Sequence, residues 1–187
     1  MDEVVKKVVE VLKSGGVILY PTDTIWGIGC DATNVEAVNR IYRIKQRDDS
    51  KSMIVLVDIP ARLNSYLKEV PEIAWDLIDL SEKPLTIIYP GAKNLATNLL
   101  TSDGTVGIRV VKHDLCERII RALKKPIVST SANISGSNFP KNFEDIDDRI
   151  IHSVDFIVPS EHDFSTNTRP SSIIRLGVNG EIAVIRE

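Results

Sequence analysis

Apolar residues recur at helical spacing near the start of the chain. Val4, Val5, Val8, Val9 and Leu12 share one face, and Gly15-Gly16 end that helix. The apolar run 17–20 reads as a short strand closed by Pro21. Thr33-Asn-Val-Glu36 reads as a capping box opening a second helix, with Val35, Val38, Ile41 and Tyr42 inward. Arg40, Arg43 and Arg47 follow at i, i+3 and i+7, so one flank is basic. Residues 53–57 form the next strand, and 60–67 and 71–80 read as helices with proline near the first turn. Leu85–Tyr89 and 105–111 are strands, and Asp114 caps a helix that turns Leu115, Ile119, Ile120 and Leu123 inward. Ile127–Ser131 is another apolar strand, and 142–151 reads as helical. Residues 154–158, Ser172–Leu176 and 182–185 are late strands with little helix between them. Strands alternate with helices early and cluster late. This predicts an α/β fold, a mixed, twisted sheet with flanking helices, in one domain over 1–187.

Composition narrows the classes. The 187 residues suffice for one sizeable core. The longest apolar runs are far too short to cross a bilayer, and the first twelve residues lack the apolar stretch of a signal peptide. A cytoplasmic protein with no membrane contact is expected. Cys30 and Cys116 form no C-x-x-C pair, so both read as free, buried thiols. The net charge is −3, so any anion or nucleic acid must be met by a local patch.

Candidate chemistry falls at separated points. Thr22, Asp23 and Thr24 end a strand just before Gly27 and Gly29, where backbone can approach a small ligand. The plain alternative is a Thr/Asp turn. The G-x-G here has no third glycine and no helix close behind it, so it is not a dinucleotide fingerprint. Lys45, Arg47 and Lys51 follow a helix and read either as cations favouring its dipole or as a phosphate clamp. Thr105 and Arg109 share one face of a strand, and a buried Arg109 needs an anionic partner, a structural carboxylate or a ligand. Ser129, Ser131 and Asn133 alternate onto one face and favour a site, the plainer alternative being that Asn133 caps the turn at 134–136. The polar stretch 160–170 is a candidate loop over a site. His113, His152 and His162 show no metal-ligand spacing, and no P-loop or nucleophile elbow is present.

The segments Gly15-Gly16-Val17-Ile18-Leu19-Tyr20-Pro21-Thr22-Asp23-Thr24, Ile44-Lys45-Gln46-Arg47, Pro84-Leu85-Thr86, Thr105-Val106-Gly107-Ile108-Arg109 and 129–136 occur in this order. Together they resemble the YrdC/Sua5 family, in its short form without the extra C-terminal domain. The resemblance implies a concave, positively charged groove. It implies synthesis of threonylcarbamoyl-AMP and pyrophosphate from L-threonine, bicarbonate (or CO2) and ATP. This is the first step toward N6-threonylcarbamoyladenosine at position 37 of tRNA. By the same resemblance Thr24, Arg109, Ser131 and Ser171 hold threonine, Arg109 taking its carboxylate. Lys45, Arg47, Lys51, Thr105, Asn133, Lys141 and Arg186 hold ATP, and Lys45, Arg47, Ser131 and Asn133 carry catalysis. Mg²⁺ is expected to arrive with ATP, held by phosphate and water, with no protein metal site. Hand-off to the tRNA threonylcarbamoyl transferase complex and contact with tRNA or double-stranded RNA are further implied partners. Two positions depart from the family pattern. Lys51 stands where an Asn often contacts ATP, and Leu56 where some members have a His near threonine. The rival reading is an RNA-binding, translation-associated module without catalysis, using Arg40, Arg43, Arg47 and Lys51. Low charge and 5% aromatic residues argue against it.

Overall fold

The computed structural model describes residues 1–46, 53–163, 169–177 and 179–187. Arg47, Lys51 and residues 164–168 of the 160–170 loop therefore lie outside the described residues.

Helix α1 (Asp2–Lys13) buries Val5, Val8, Val9 and Leu12, the stripe its spacing predicts. Gly15 takes φ +81°, a left-handed conformation that a glycine adopts without strain, and turns the chain into β1 (Ile18–Tyr20). Strand β2 (Gly27–Gly29) returns antiparallel to β1. Helix α2 (Val35–Lys45) starts one residue later than the predicted box. Its cap is Asn34, whose Oδ1 accepts from the N–H groups of Glu36 and Ala37 at 3.0 and 3.1 Å. Thr33 instead bonds the Asp31 carboxylate through both N–H and hydroxyl, which removes it from the cap and leaves Val35 37% exposed. Arg40 on the basic flank is committed to Asp155, at 2.5 and 2.9 Å. It is thereby removed from any patch for RNA.

Next come β3 (Ile54–Val57), α3 (Leu63–Tyr66), α4 (Ile73–Leu80), β4 (Leu85–Tyr89) and β5 (Val106–Val110). Residues 60–67 begin as a 3₁₀ turn over Pro60–Arg62 before α3. Helix α5 (Asp114–Leu123) has His113, not Asp114, at its N-cap, and no side-chain cap bond forms; Asp114 is a first-turn acid. Strand β6 (Ile127–Ser131) matches its prediction. The stretch 142–151 is broken, with a 3₁₀ turn over Phe143–Asp145 and a short α6 (Asp148–Ile151). Each piece carries its own cap, Asn142 on Asp145 N–H and Asp147 on Arg149 N–H, and two caps five residues apart leave no room for one helix. Strands β7 (Phe156–Ile157), β8 (Ser172–Leu176) and β9 (Ile182–Arg186) complete the chain.

The described strands form one nine-stranded mixed sheet in the order β7-β1-β2-β6-β3-β5-β4-β8-β9. One face is covered along its length, where α2 and the turns between strands pack on Leu19, Ile28, Val55, Val128, Ile108 and Ile87. The other face is covered only in part. Helices α1 and α5 pack there on Ile18, Tyr20, Leu56 and Ile127. Beyond them the same face carries Gly27, Gly107, Arg109, Thr86, Ser129 and Ser131, by strand alternation and register. Small and polar residues in place of large apolar ones keep this part of the sheet open.

Candidate functional site

The uncovered face opens into a cavity of about 220 Å³. Strand β2 and the 22–26 turn supply Thr24, Trp26 and Gly27, β5 supplies Arg109, and β6 supplies Ser129 and Ser131. Pro170 and Ser171 lead into β8, Arg186 ends β9, and Phe139 reaches in from the loop after β6.

Arg109 sits mid-strand and is 3% exposed. Its Nη2 lies 2.9 Å from Asp23 Oδ1 and donates to Thr24 Oγ1 at 3.5 Å. The carboxylate that a buried arginine needs is therefore supplied by the protein. The pairing is incomplete. Arg109 Nε has no hydrogen-bond partner among the described residues and is buried. A guanidinium presents its five N–H donors in a fixed fork, so an orphan Nε leaves capacity for one more acceptor. Thr24 is fixed from below by Thr22, whose hydroxyl lies 2.9 Å from it and donates to Ile25 O at 2.8 Å.

On the far side of the cavity Arg186 donates from Nε and Nη2 to Ser171 O, at 3.0 and 2.6 Å. Ser171 Oγ is 2.8 Å from Thr86 Oγ1. Burial, and then the charge of Arg109, pull the Arg186 pKa below its usual value. Two guanidiniums held beside one cavity favour an anionic occupant.

The β6 end is tied down by Lys45 and Asn133. Lys45, at the last position of α2, is 1% exposed, and its Nζ donates to Ser131 O, to Asn133 O at 2.7 Å and to Asn133 Oδ1 at 3.3 Å. The ammonium is thus seated among carbonyls of the Ser-Ala-Asn turn, and Lys45 is not among the residues lining the cavity. Asn133 also accepts from Ser131 Oγ at 2.5 Å and donates to Ser137 O at 2.7 Å, so it closes the following turn, the second of its two readings. Ser131 itself lines the cavity. Thr105 is buried, but its hydroxyl is held by Thr101 and Asp103, at 2.6 and 3.0 Å, in the turn before β5 and off the cavity. Lys141 is exposed and off the cavity too, its N–H on Asp145. Leu56 is fully buried beside Arg109 on β3 and seals the core there.

Sequence reasoning missed two aromatic walls. Trp26 Nε1 donates to Asp163 Oδ2 at 2.7 Å, and its ring packs against Phe143 with centroids 5.1 Å apart. Its signal was position, two residues past Thr24 on the same turn. Phe139 is 47% exposed at the cavity, and nothing in the pattern around it points to a site.

A partly covered mixed sheet with a cationic, hydroxyl-lined cavity defines an α/β small-molecule-binding domain. The family model described as "Telomere recombination", the Sua5/YciO/YrdC domain, matches residues 10–187. The chain belongs to this family. It is 33% identical over 174 residues to the threonylcarbamoyl-AMP synthase of Pseudoalteromonas translucida, covering 91% of each chain. With the Stenotrophomonas maltophilia enzyme of that name it is 32% identical, covering 82% of this chain and 84% of the relative. E. coli YciO superposes with a TM-score of 0.86 at 29% identity, over 100% of this chain and 90% of that one. Sua5 of P. abyssi, solved in complex with L-threonine, superposes at 0.81 with 25% identity. That match covers 92% of this chain and 50% of Sua5, so the chain spans half the length of that protein.

Proposed function

We propose that this chain is an L-threonylcarbamoyladenylate synthase, a nucleotidyltransferase of tRNA modification. It joins L-threonine, bicarbonate or CO2, and ATP into threonylcarbamoyl-AMP and pyrophosphate, for N6-threonylcarbamoyladenosine at tRNA position 37. The observation that carries the reading is Arg109, a buried guanidinium with an orphan Nε beside Thr24 in a small hydroxyl-lined cavity. Such a group suits an amino-acid carboxylate. The names of the relatives supply the substrate class.

In this reading Arg109 takes the threonine carboxylate, and Thr24, Ser131 and Ser171 supply hydroxyls for the amino acid's polar groups. Threonine's amine attacks CO2 and gives a carbamate with loss of a proton. A carbamate oxygen then attacks the α-phosphorus of ATP, and the bond to pyrophosphate breaks. Arg186 and Arg47 neutralise phosphate charge. Lys45 and Asn133 hold the turn that presents Ser131, while direct ATP contacts by Lys51, Thr105 and Lys141 stay with the family resemblance alone. Catalysis is alignment plus charge stabilisation, and alignment can supply roughly 7–11 kcal/mol. No three His, Cys, Asp or Glu side chains converge as a metal site among the described residues. Mg²⁺ would arrive on the nucleotide, held by phosphate and water, and would lower the charge of those phosphates. The adenylate then passes to the tRNA-modifying transferase.

The test is pyrophosphate release from ATP with Mg²⁺ and bicarbonate, with and without L-threonine. Release that depends on threonine, weakens with serine and vanishes with valine is expected. Release indifferent to threonine would overturn the assignment.

A further inference from the structure

One buried histidine has no part in the chemistry above. His113 precedes α5 and is 8% exposed, and neither ring nitrogen has a hydrogen-bond partner among the described residues. A buried imidazole left unpaired is costly, so its surroundings bear on what it does.

Those surroundings are acidic. The charged groups acting on the ring are Asp23 from the turn after β1, Asp163 after the 3₁₀ turn Ser160–His162, and Asp114 in the first turn of α5. The backbone also brings Asp23 close to this ring, because Lys112 N–H, one residue earlier, donates to Asp23 Oδ2 at 3.3 Å, and Cys116 in the first turn of α5 bonds Pro21 O. Two of these acids each carry a wall of the cavity. Asp23 pairs with Arg109 at 2.9 Å, and Asp163 accepts the Trp26 indole N–H at 2.7 Å.

We propose that His113 is a positioning residue which couples these two walls to one proton. Neutral, the ring leaves Asp23 to Arg109 and Asp163 to Trp26. Protonated, it draws both carboxylates toward itself and loosens both walls together. Burial holds the ring below the usual histidine value of 6.5, against the pull of Asp23, Asp163 and Asp114. The neutral, assembled state therefore prevails at neutral pH, and loosening belongs to the acid side. The consequence for substrate rests on the threonine reading given above; the coupling of the walls does not.

The experiment uses the full chain carrying Trp75→Phe, which leaves Trp26 as the single remaining tryptophan of two. Its emission is titrated between about pH 8 and pH 5. A one-proton transition below the usual histidine range is expected, absent in His113→Gln and preserved in His162→Gln, the neighbouring buried histidine. Calorimetric affinity for L-threonine should fall about threefold or more across the same interval in the parent and stay flatter in His113→Gln. His113→Asn, and the ring-proton NMR titration of the unsubstituted protein, serve should the glutamine variant not fold. A parent with no transition, or a transition that survives in His113→Gln, overturns the proposal. A transition that depends on His113, in a protein that binds no threonine at any pH, upholds the coupling and removes the substrate reading instead.

Discussion

Arg109 Nη2 and Asp23 Oδ1 lie 2.9 Å apart with side chains only 3% and 7% exposed. The pair joins the end of the first strand to the middle of β5, and it fixes the guanidinium that lines the cavity. Removing one partner of a buried pair strands the other charge, at a cost of about 3–5 kcal/mol. Asp23→Asn is expected to lose stability on that scale in urea unfolding, and threonine binding with it. The double variant Asp23→Asn with Arg109→Met should recover much of the stability, because no lone charge remains buried, yet stay unable to bind threonine. An Asp23→Asn protein as stable as the parent would show that the pair is not needed to hold Arg109.

Two glycines two residues apart on β2 separate structure from function. A Cβ at Gly29 would collide with the Val128 carbonyl and come 2.7 Å from the Tyr20 ring, itself pinned by its hydroxyl to Val128 O at 3.0 Å. Gly29→Ala should therefore cost about 3 kcal/mol, because buried backbone and ring cannot both yield. A Cβ at Gly27 would come no closer than 3.2 Å to any atom, the nearest being Ser129 Oγ on the cavity side, with Thr130 O and Thr22 Cγ2 at an ordinary 3.5 Å. Gly27→Ala should stay within about 1 kcal/mol of the parent while turnover falls at least tenfold. Melting temperatures and pyrophosphate release, measured side by side, check both.

Periodicity was enough for the elements that bury one face. The α1 stripe, Leu85–Tyr89 and Ile127–Ser131 each form where spacing places them, because burying those residues requires that conformation. It was not enough where side chains choose among local partners. Thr33 prefers Asp31 to the cap of α2, and two separate caps divide 142–151. Within the site, Thr24, Arg109, Ser131, Ser171 and Arg186 come together at one cavity. Asp23 as the partner of Arg109, and Trp26 and Phe139 as walls, depend on contacts between residues far apart in sequence. Local spacing does not encode those.

Cys30 and Cys116 are both buried and free, as expected. Burial raises both thiols, the Cys30 thiol with help from Asp31 and the Cys116 thiol from Asp23. They should stay protonated at neutral pH, and a thiol reagent should label neither faster than the protein unfolds. The sign for stability follows. A raised native pKa stabilises fully below the unfolded thiol value of about 8.5 and loses that contribution as pH rises beyond it. Urea midpoints should therefore decline above that value, less in Cys30→Ala once corrected to neutral pH. Rapid labelling of the native protein would show that at least one thiol is accessible.

Lys45 ends α2 and anchors the turn after β6, so its role is open to a direct separation. Its ammonium contacts Ser131 O, Asn133 O and Asn133 Oδ1, and Ser135 N–H returns a bond to Lys45 O at 2.9 Å. Hydrogen bonds to a charged group contribute about 1.5–3 kcal/mol, so Lys45→Met should destabilise the fold by a few kcal/mol. Turnover should fall with it, because Ser131 at the cavity loses the support of that turn. Lys45→Arg should not restore activity, since a planar fork cannot replace a compact ammonium among convergent carbonyls. A phosphate clamp alone would behave differently, giving a variant of parental stability with weakened ATP affinity. Urea unfolding together with ATP affinity in Lys45→Met decides between a turn anchor and a clamp.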